Sequence, residues 1–253
     1  MDAADHVRHN RAFWDADSDE YQAAHGAQLA DAPLAWGAYR APEHDIGALA
    51  PLAALTGRRV LELGCGAGQW ATTLGGRGVE VTGLDLSRAQ LGHARRADAD
   101  LPLVLGDGEH LPFAAGSFAA VLSDHGALSF CEPAVIAAEC ARVLEPGGIL
   151  AFCVTHPLLV LTWDEAHGKQ TRKLRTDFAA LGRMDWDGEG TIDWAIPAGE
   201  WIRVLTGAGF GIEACTELVA RADAETTYPE FAPPKWARRW PAEWVWRARR
   251  VIP

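Results

Sequence analysis

The stretch VLELGCGAGQW, Val60–Trp70, is an apolar run that ends in glycines at alternate positions, Gly64, Gly66 and Gly68. It reads as a buried strand turning tightly into a helix, with the Cβ atoms removed that would keep a ligand from the backbone. A second apolar run, Val79–Leu84, ends on Asp85. In nucleotide-binding α/β sheets an acid at the tip of the neighbouring strand reaches ribose hydroxyls. The two runs together predict an adenosine-binding half-site. Rival signatures fail on single residues. A Walker loop continues Gly-Lys-Ser/Thr, whereas this chain has Gly68-Gln69-Trp70, and a dinucleotide fingerprint needs glycine where Gln69 stands. What remains is Gly-x-Gly-x-Gly with Glu62 two residues ahead, which a turn without a ligand would also satisfy.

Working outward, strand-like and helix-like segments alternate. Arg59–Leu63 reads as a strand, Gln69–Gly75 as a helix, Val79–Leu84 as a strand and Ser87–Ala97 as a helix opened by a capping-box spacing, Ser87 to Gln90. Leu101–Leu105 and Phe118–Ser123 read as strands, and Pro133–Leu144 as a helix stopped by Pro146-Gly147-Gly148. Ile149–Thr155 is again an apolar strand. Such alternation signals a parallel sheet covered on both faces. Residues 158–196 lack periodicity and read as an inserted cap. Alternation resumes with helix Ala198–Gly207, strand Phe210–Leu218 and a last strand near Glu243–Val251, across a proline-bearing surface loop, Val219–Ala242. Ahead of the sheet, Val7–Gln22 and Ala41–Leu55 are helix candidates.

The chain has 253 residues, enough for one large core, and 23 basic against 34 acidic side chains give a net charge of −11. That balance speaks against a dedicated nucleic-acid binder. No apolar run approaches the roughly 20 residues of a membrane span, and the polar N-terminus does not read as a signal peptide. Five cysteines, at 65, 131, 140, 153 and 215, show neither CxxC nor zinc spacing. A cytoplasmic enzyme without a metal cluster is the expectation.

Four ordered segments within 58–153 resemble the class I S-adenosylmethionine-dependent methyltransferases. VLELGCGAGQW looks like their first motif and VTGLDLSRAQLGHAR like their second. GDGEHLPFAAGSFAAVLSDHGALSF is similar to the segment that sets an acid beside adenine and then runs down the fourth strand. RVLEPGGILAF resembles the helix–turn–strand that follows. The resemblance implies a three-layer Rossmann-like α/β sandwich. Its seven-stranded, mostly parallel sheet ends in an antiparallel strand, with residues 1–56 as an N-terminal helical lid, 57–253 as the core and an inserted cap at about 158–197. It also implies S-adenosyl-L-methionine as cofactor. The methionine moiety would lie against Gly64, Gly66 and Gly68 behind Glu62. Asp85 would take the ribose and Leu86 pack on the adenine. Asp107 would accept from the adenine amine beside Gly108 and Glu109, and Ser123 would line the sulfur. Asp107 between two glycines also suits a plain turn.

Methyl transfer is an in-line displacement that needs alignment and, for a protonated nucleophile, a base. Beyond the strand ends stand His125 and His156, the two candidate bases, each of which could equally be a histidine bonded to backbone. The N-terminal block resembles a leader that folds over cofactor and substrate in small-molecule members of the class. Trp14, Tyr21, Trp36, Tyr39 and Arg40 would then face the substrate, or else pack on the sheet. Trp163, Trp186, Trp194 and Trp201 suggest an aromatic-walled pocket. The arginine–tryptophan run from Trp236 to Arg250 reads as an edge segment rather than a nucleic-acid surface. The expected function is methyl transfer to a small molecule, O-methylation slightly ahead. A non-catalytic binder of the same cofactor, with its cavity plugged by Trp163 or Trp194, and a nicotinamide-dependent oxidoreductase are the alternatives. The sequence is silent on the acceptor and on oligomeric state.

Overall fold

The computed structural model describes residues 3–49, 51–186 and 190–251. Seven strands form one sheet: β1 (Arg59–Leu63), β2 (Glu80–Asp85), β3 (Leu103–Leu105), β4 (Phe118–Asp124), β5 (Leu144–Thr155), β6 (Phe210–Leu218) and β7 (Glu243–Arg250). Their spatial order is β6-β7-β5-β4-β1-β2-β3. β1 to β5 run parallel, and β7 pairs antiparallel with both β5 and β6.

Side chains alternate across a strand, so consecutive residues feed two different cores. Leu61, Leu63, Val121, Phe152 and Trp246 join one core with helices α4 (Pro133–Val143) and α5 (Ala198–Gly207), through Ile136, Cys140, Trp201 and Leu205. Val60, Leu122, Ala151, Cys153 and Val245 face the other, against Trp70, Ala71 and Leu74 of α2 (Gln69–Gly75) and Ala94 of α3 (Arg88–Ala97). Both faces of the central strands are therefore dry, which is why they read as unbroken apolar runs.

Helix α1 spans Ala3–Asp31, longer at both ends than the Val7–Gln22 expected. Two acids of its middle, Asp15 and Asp19, find partners on α3. Asp15 accepts from Ser87 Oγ at 2.7 Å and from Ala89 N at 3.2 Å, a carboxylate at a helix N-terminus, and Asp19 meets His93 at 2.7 Å. Ser87 caps α3 by accepting from Gln90 N, but the Gln90 side chain is taken by Gln22 rather than returning to the cap.

The single helix expected over Ala41–Leu55 does not form. Gly47 ends a one-turn helix, Glu43–Ile46, in the left-handed region, and a 3-10 turn follows at Leu52–Leu55. The buried Glu43 carboxylate organises this segment by accepting from Trp36 Nε1 and Leu49 N, each at 2.6 Å. The arginine–tryptophan run is not an edge. β7 lies inside the sheet with Trp244 and Trp246 buried. Arg247 pairs with Glu213 at 2.6 Å, Arg249 also meets Glu213, and Arg250 donates to Leu144 O.

The inserted segment holds a short helix, Pro157–Leu161, and two hairpins, Trp163–Asp164 with Lys169–Gln170 and Gly182–Asp185 with Ile192–Ala195. Asn10 of α1 both donates to Ile192 O and accepts from Ile192 N, at 2.8 Å each, so α1 and the second hairpin form one layer. The expected loop 219–242 carries a short helix, Pro234–Ala237, and a small core around Trp236 and Ala232. Among the described residues no helix is long and apolar enough to cross a membrane, and the five cysteines are unpaired.

Candidate active site

A cleft of about 130 Å³ opens at the carboxyl ends of β1, β2 and β4, roofed by α1. Three turns shape it. After β1 the chain turns through Gly64 and Gly66, both at positive φ. A Cβ at Gly64 would overlap Ala127 N, so the glycine lets the turn press against the one-turn helix Ala127–Phe130. Gly66 lines the cleft, where a Cβ would meet only the Gln90 side-chain oxygen at 3.7 Å, whereas Gly68 is turned to Leu101 and lies outside it. Asp85 accepts from Gly66 N and Ser87 N, each at 2.8 Å, tying the two strand tips together. Burial pushes its carboxyl up to about 6 against the pull of those N–H groups. Glu62 accepts from Ala71 N at 2.8 Å, and burial pushes it up to about 8.

Leu86, Asp107 and Gly108 also line the cleft. Asp107 accepts from Glu109 N at 2.9 Å, so it forms the local turn and faces the cavity as well. Glu109 points away, 2.7 Å from His6 and accepting from Glu132 N at 2.6 Å. Ser123 is wholly buried and donates to Leu63 O at 2.8 Å, bracing β4 against β1 behind the cavity wall.

A second chamber of about 310 Å³ adjoins the cleft, the two sharing Trp14, Tyr21, Arg40, Asp124 and His125. Phe13, Tyr228 and Phe231 complete its aromatic walls. Its floor is a charge network at the tips of β4 and β7. Arg40 donates to Asp124 at 3.2 Å, and Asp124 also accepts from Gly37 N at 2.9 Å. His125, itself at positive φ, sets Nε2 2.6 Å from Glu243 Oε1, close but with the N–H bent off the line between them. Burial alone would lower the imidazole; Glu243, helped by Asp124 and Asp193, overrides it and raises the ring above its ordinary value. Asp193, on the inserted hairpin, accepts from Trp186 Nε1 at 3.1 Å, and burial pushes it up to about 7.

The family model described as a methyltransferase domain matches residues 61–152. A demethylmenaquinone methyltransferase from Beutenbergia cavernae is 42% identical over 100 residues, covering 39% of this chain and 41% of that protein. A fatty-acid O-methyltransferase from Mycolicibacterium smegmatis is 37% identical over 115 residues, covering 44% of this chain and 42% of the relative. The chain thus spans about two fifths of the length of the curated relatives it matches. An S-adenosylmethionine-dependent methyltransferase of known structure from Mesorhizobium loti superposes with a TM-score of 0.65 at 26% identity, over 82% of this chain and 96% of that one. Residues 61–152 thus match a methyltransferase domain, and the fold is shared with an S-adenosylmethionine-dependent methyltransferase of known structure.

Within this methyltransferase domain the remaining expected site residues separate clearly. His156 accepts from Leu158 N through Nδ1 and lies with its ring against Trp244, near Glu217 and away from the chamber. Trp36 is fully buried against Trp70, and Tyr39 donates to Ala232 O at 2.6 Å; both pack rather than line. Asp124, His125 and Cys153 bring potential ligand atoms within 4.8 Å of one another. The acid and the imidazole are engaged as described, and burial pushes the Cys153 thiol up. Sequence reasoning missed Glu243, Asp193, Tyr228 and Phe231. An acid opening the apolar start of EWVWRARR was a usable signal for Glu243. The other three sit in aperiodic segments that gave none.

Proposed function

We propose that the methyltransferase domain moves a methyl group from S-adenosyl-L-methionine to a small-molecule acceptor in the second chamber, with a hydroxyl as the favoured nucleophile. The observation that carries this reading is the junction of the glycine-turn cleft with the aromatic chamber at His125. The cleft suits that cofactor: Gly66 leaves room, Asp85 offers a carboxylate, and Trp70 Nε1 stands in its wall without a partner. Gly64, Gly66 and Glu62 would hold the amino-acid part, Asp85 the ribose hydroxyls, and Leu86, Asp107 and Gly108 the adenine. Gly68, Glu109 and Ser123 would support these from behind. When bound, the cofactor supplies an electrophilic methyl on a sulfonium.

The chain's own residues do the rest. α1 and the 219–242 loop exclude water, and the walls align the nucleophile, a positioning effect that can supply about 7–11 kcal/mol. His125, raised by Glu243 above its ordinary value, suits a donor that orients the acceptor oxygen better than a base. Asp193, with its carboxyl raised to about 7, is the better proton acceptor near neutral pH. His156 is left out of this scheme on geometry.

A small-molecule acceptor is supported by the names of the two relatives. The open chamber argues against the non-catalytic reading, which needs a plug at Trp163 or Trp194, and Gln69 argues against nicotinamide. The unpaired cysteines suit a cytoplasmic setting, and the tied arginines of β7 leave a nucleic-acid role without support. Calorimetric titration with S-adenosylmethionine, S-adenosylhomocysteine and NAD tests the reading. Binding of both sulfur compounds and silence toward NAD are expected; NAD binding or universal silence refutes it.

A further inference from the structure

Behind the acceptor chamber lies a third cavity of about 300 Å³, bounded by Leu159, Val160, Trp163, Trp194 and Ala195. It is near the lower end of the ~300–1,000 Å³ range in which small ligands are held. Ser129, Thr155, Asp193 and Phe231 line both spaces, so they meet along one seam. Apart from Glu230 and the indole N–H groups, the far walls are apolar. The indole N–H of Trp186 is spent on Asp193. Polar groups gather at the seam instead, where the Ser129 hydroxyl, 7% exposed, has no hydrogen-bond partner. A buried hydroxyl of this kind ordinarily has one.

Charge further restricts what can sit there. Arg40 is matched by Asp124, and His125 by Glu243. The chamber's other acids, Asp17 and Asp193, have no basic partner in an ion pair among the described residues. An additional anion would therefore find no unmatched cation among the described residues of the chamber.

We propose that the acceptor is an amphiphile, with a neutral hydroxyl-bearing head at the Ser129–Asp193 seam and a hydrocarbon tail in the tryptophan-walled annex. The word acceptor rests on the methyl-transfer reading; the tail site itself rests on the cavity. Ser129 would exchange a hydrogen bond with the head. Leu159, Val160, Trp163 and Trp194 would take the tail out of water, which rewards each buried methylene.

The test is titration of the full chain with para-alkylphenols, from phenol to hexylphenol, read by quenching of intrinsic tryptophan fluorescence. S-adenosylhomocysteine binding is measured in parallel. Affinity should rise about three- to fourfold for each added methylene. Val160→Trp, or the milder Ala195→Leu, should flatten that gradient while phenol and S-adenosylhomocysteine still bind. Alkyl carboxylates of matched length should bind at least tenfold more weakly than the phenols. An even affinity across the series, or a gradient untouched in both variants, overturns the tail site. Carboxylates that bind more tightly overturn the neutral head. A gradient without S-adenosylhomocysteine binding keeps the tail site and removes the methyl-transfer reading, so the two failures are separable.

Discussion

Asp193 and Glu62 are the two side chains whose protonation most directly reports on the site. Asp193 is raised to about 7 by burial, and an unfolded carboxyl ionises near 3.8. The folded state therefore binds a proton that the unfolded state has lost across that window. Stability from this group is whole below about pH 4 and declines as pH rises through about 7. Asp193→Asn keeps an acceptor for Trp186 and removes the buried charge. Its melting temperature should exceed the parent's at pH 8 and match it at pH 4, by about 2–4 °C for each kcal/mol recovered. The same variant should lower kcat and abolish the rise in rate through pH 7. An unchanged pH–rate profile would remove Asp193 from the proton path.

Glu62, pushed up to about 8, holds a proton at neutral pH in the free cleft. A cationic ligand beside it favours the ionised form. Cofactor binding at pH 7 should therefore release protons, visible as a dependence of calorimetric heat on buffer ionisation enthalpy, and affinity should improve from pH 6 to 8. Glu62→Gln should erase both effects. Tight binding with no proton release would mean that the ligand's charge lies elsewhere.

At the scale of elements, the site depends on α1 staying docked. Asn10 closes a two-way bond with Ile192, and Asp15 covers the start of α3. Asn10→Ala leaves a buried N–H and C=O unpaired and should cost about 1–3 kcal/mol. If α1 and the hairpin form the lid of the chamber, the variant should also weaken acceptor binding more than cofactor binding, checked by paired titrations. Equal losses would mean that the helix serves both compartments alike. Gly64→Ala should be far harsher. Its Cβ would drive the first turn off Ala127, and cofactor affinity and folded yield should fall together.

Across the whole molecule, legibility in the sequence follows how far each residue's role is fixed by its neighbours in the chain. β1 with its glycines, Asp85 at a strand tip and the Pro133 helix start are local patterns, and each lies where the chain alone places it. Leu86, Asp107 and His125 face cavities on the same basis. What failed was long-range. Trp36 carries the composition of a lid residue, but Glu43 and Trp70 pull it into the core. Glu109 sits inside a readable motif, yet His6, 103 positions earlier, turns it from the cleft. Asp193 and Phe231 belong to segments without periodicity, where nothing near in sequence announces their place.

The helix α1 meets the 219–242 loop through Tyr21 and Tyr228, whose hydroxyls lie 2.8 Å apart, and His25 stacks on Tyr228 at 3.9 Å. Tyr21 lines both cavities and Tyr228 the second, so one contact borders the two. If these rings gate entry and release, turnover waits on their parting, however fast the bond exchange beneath. Such a machine keeps the clock of its hinge. Added viscogen should slow turnover in proportion to solvent friction, while Tyr228→Phe, with the hydroxyl contact gone, should run faster and depend on viscosity less.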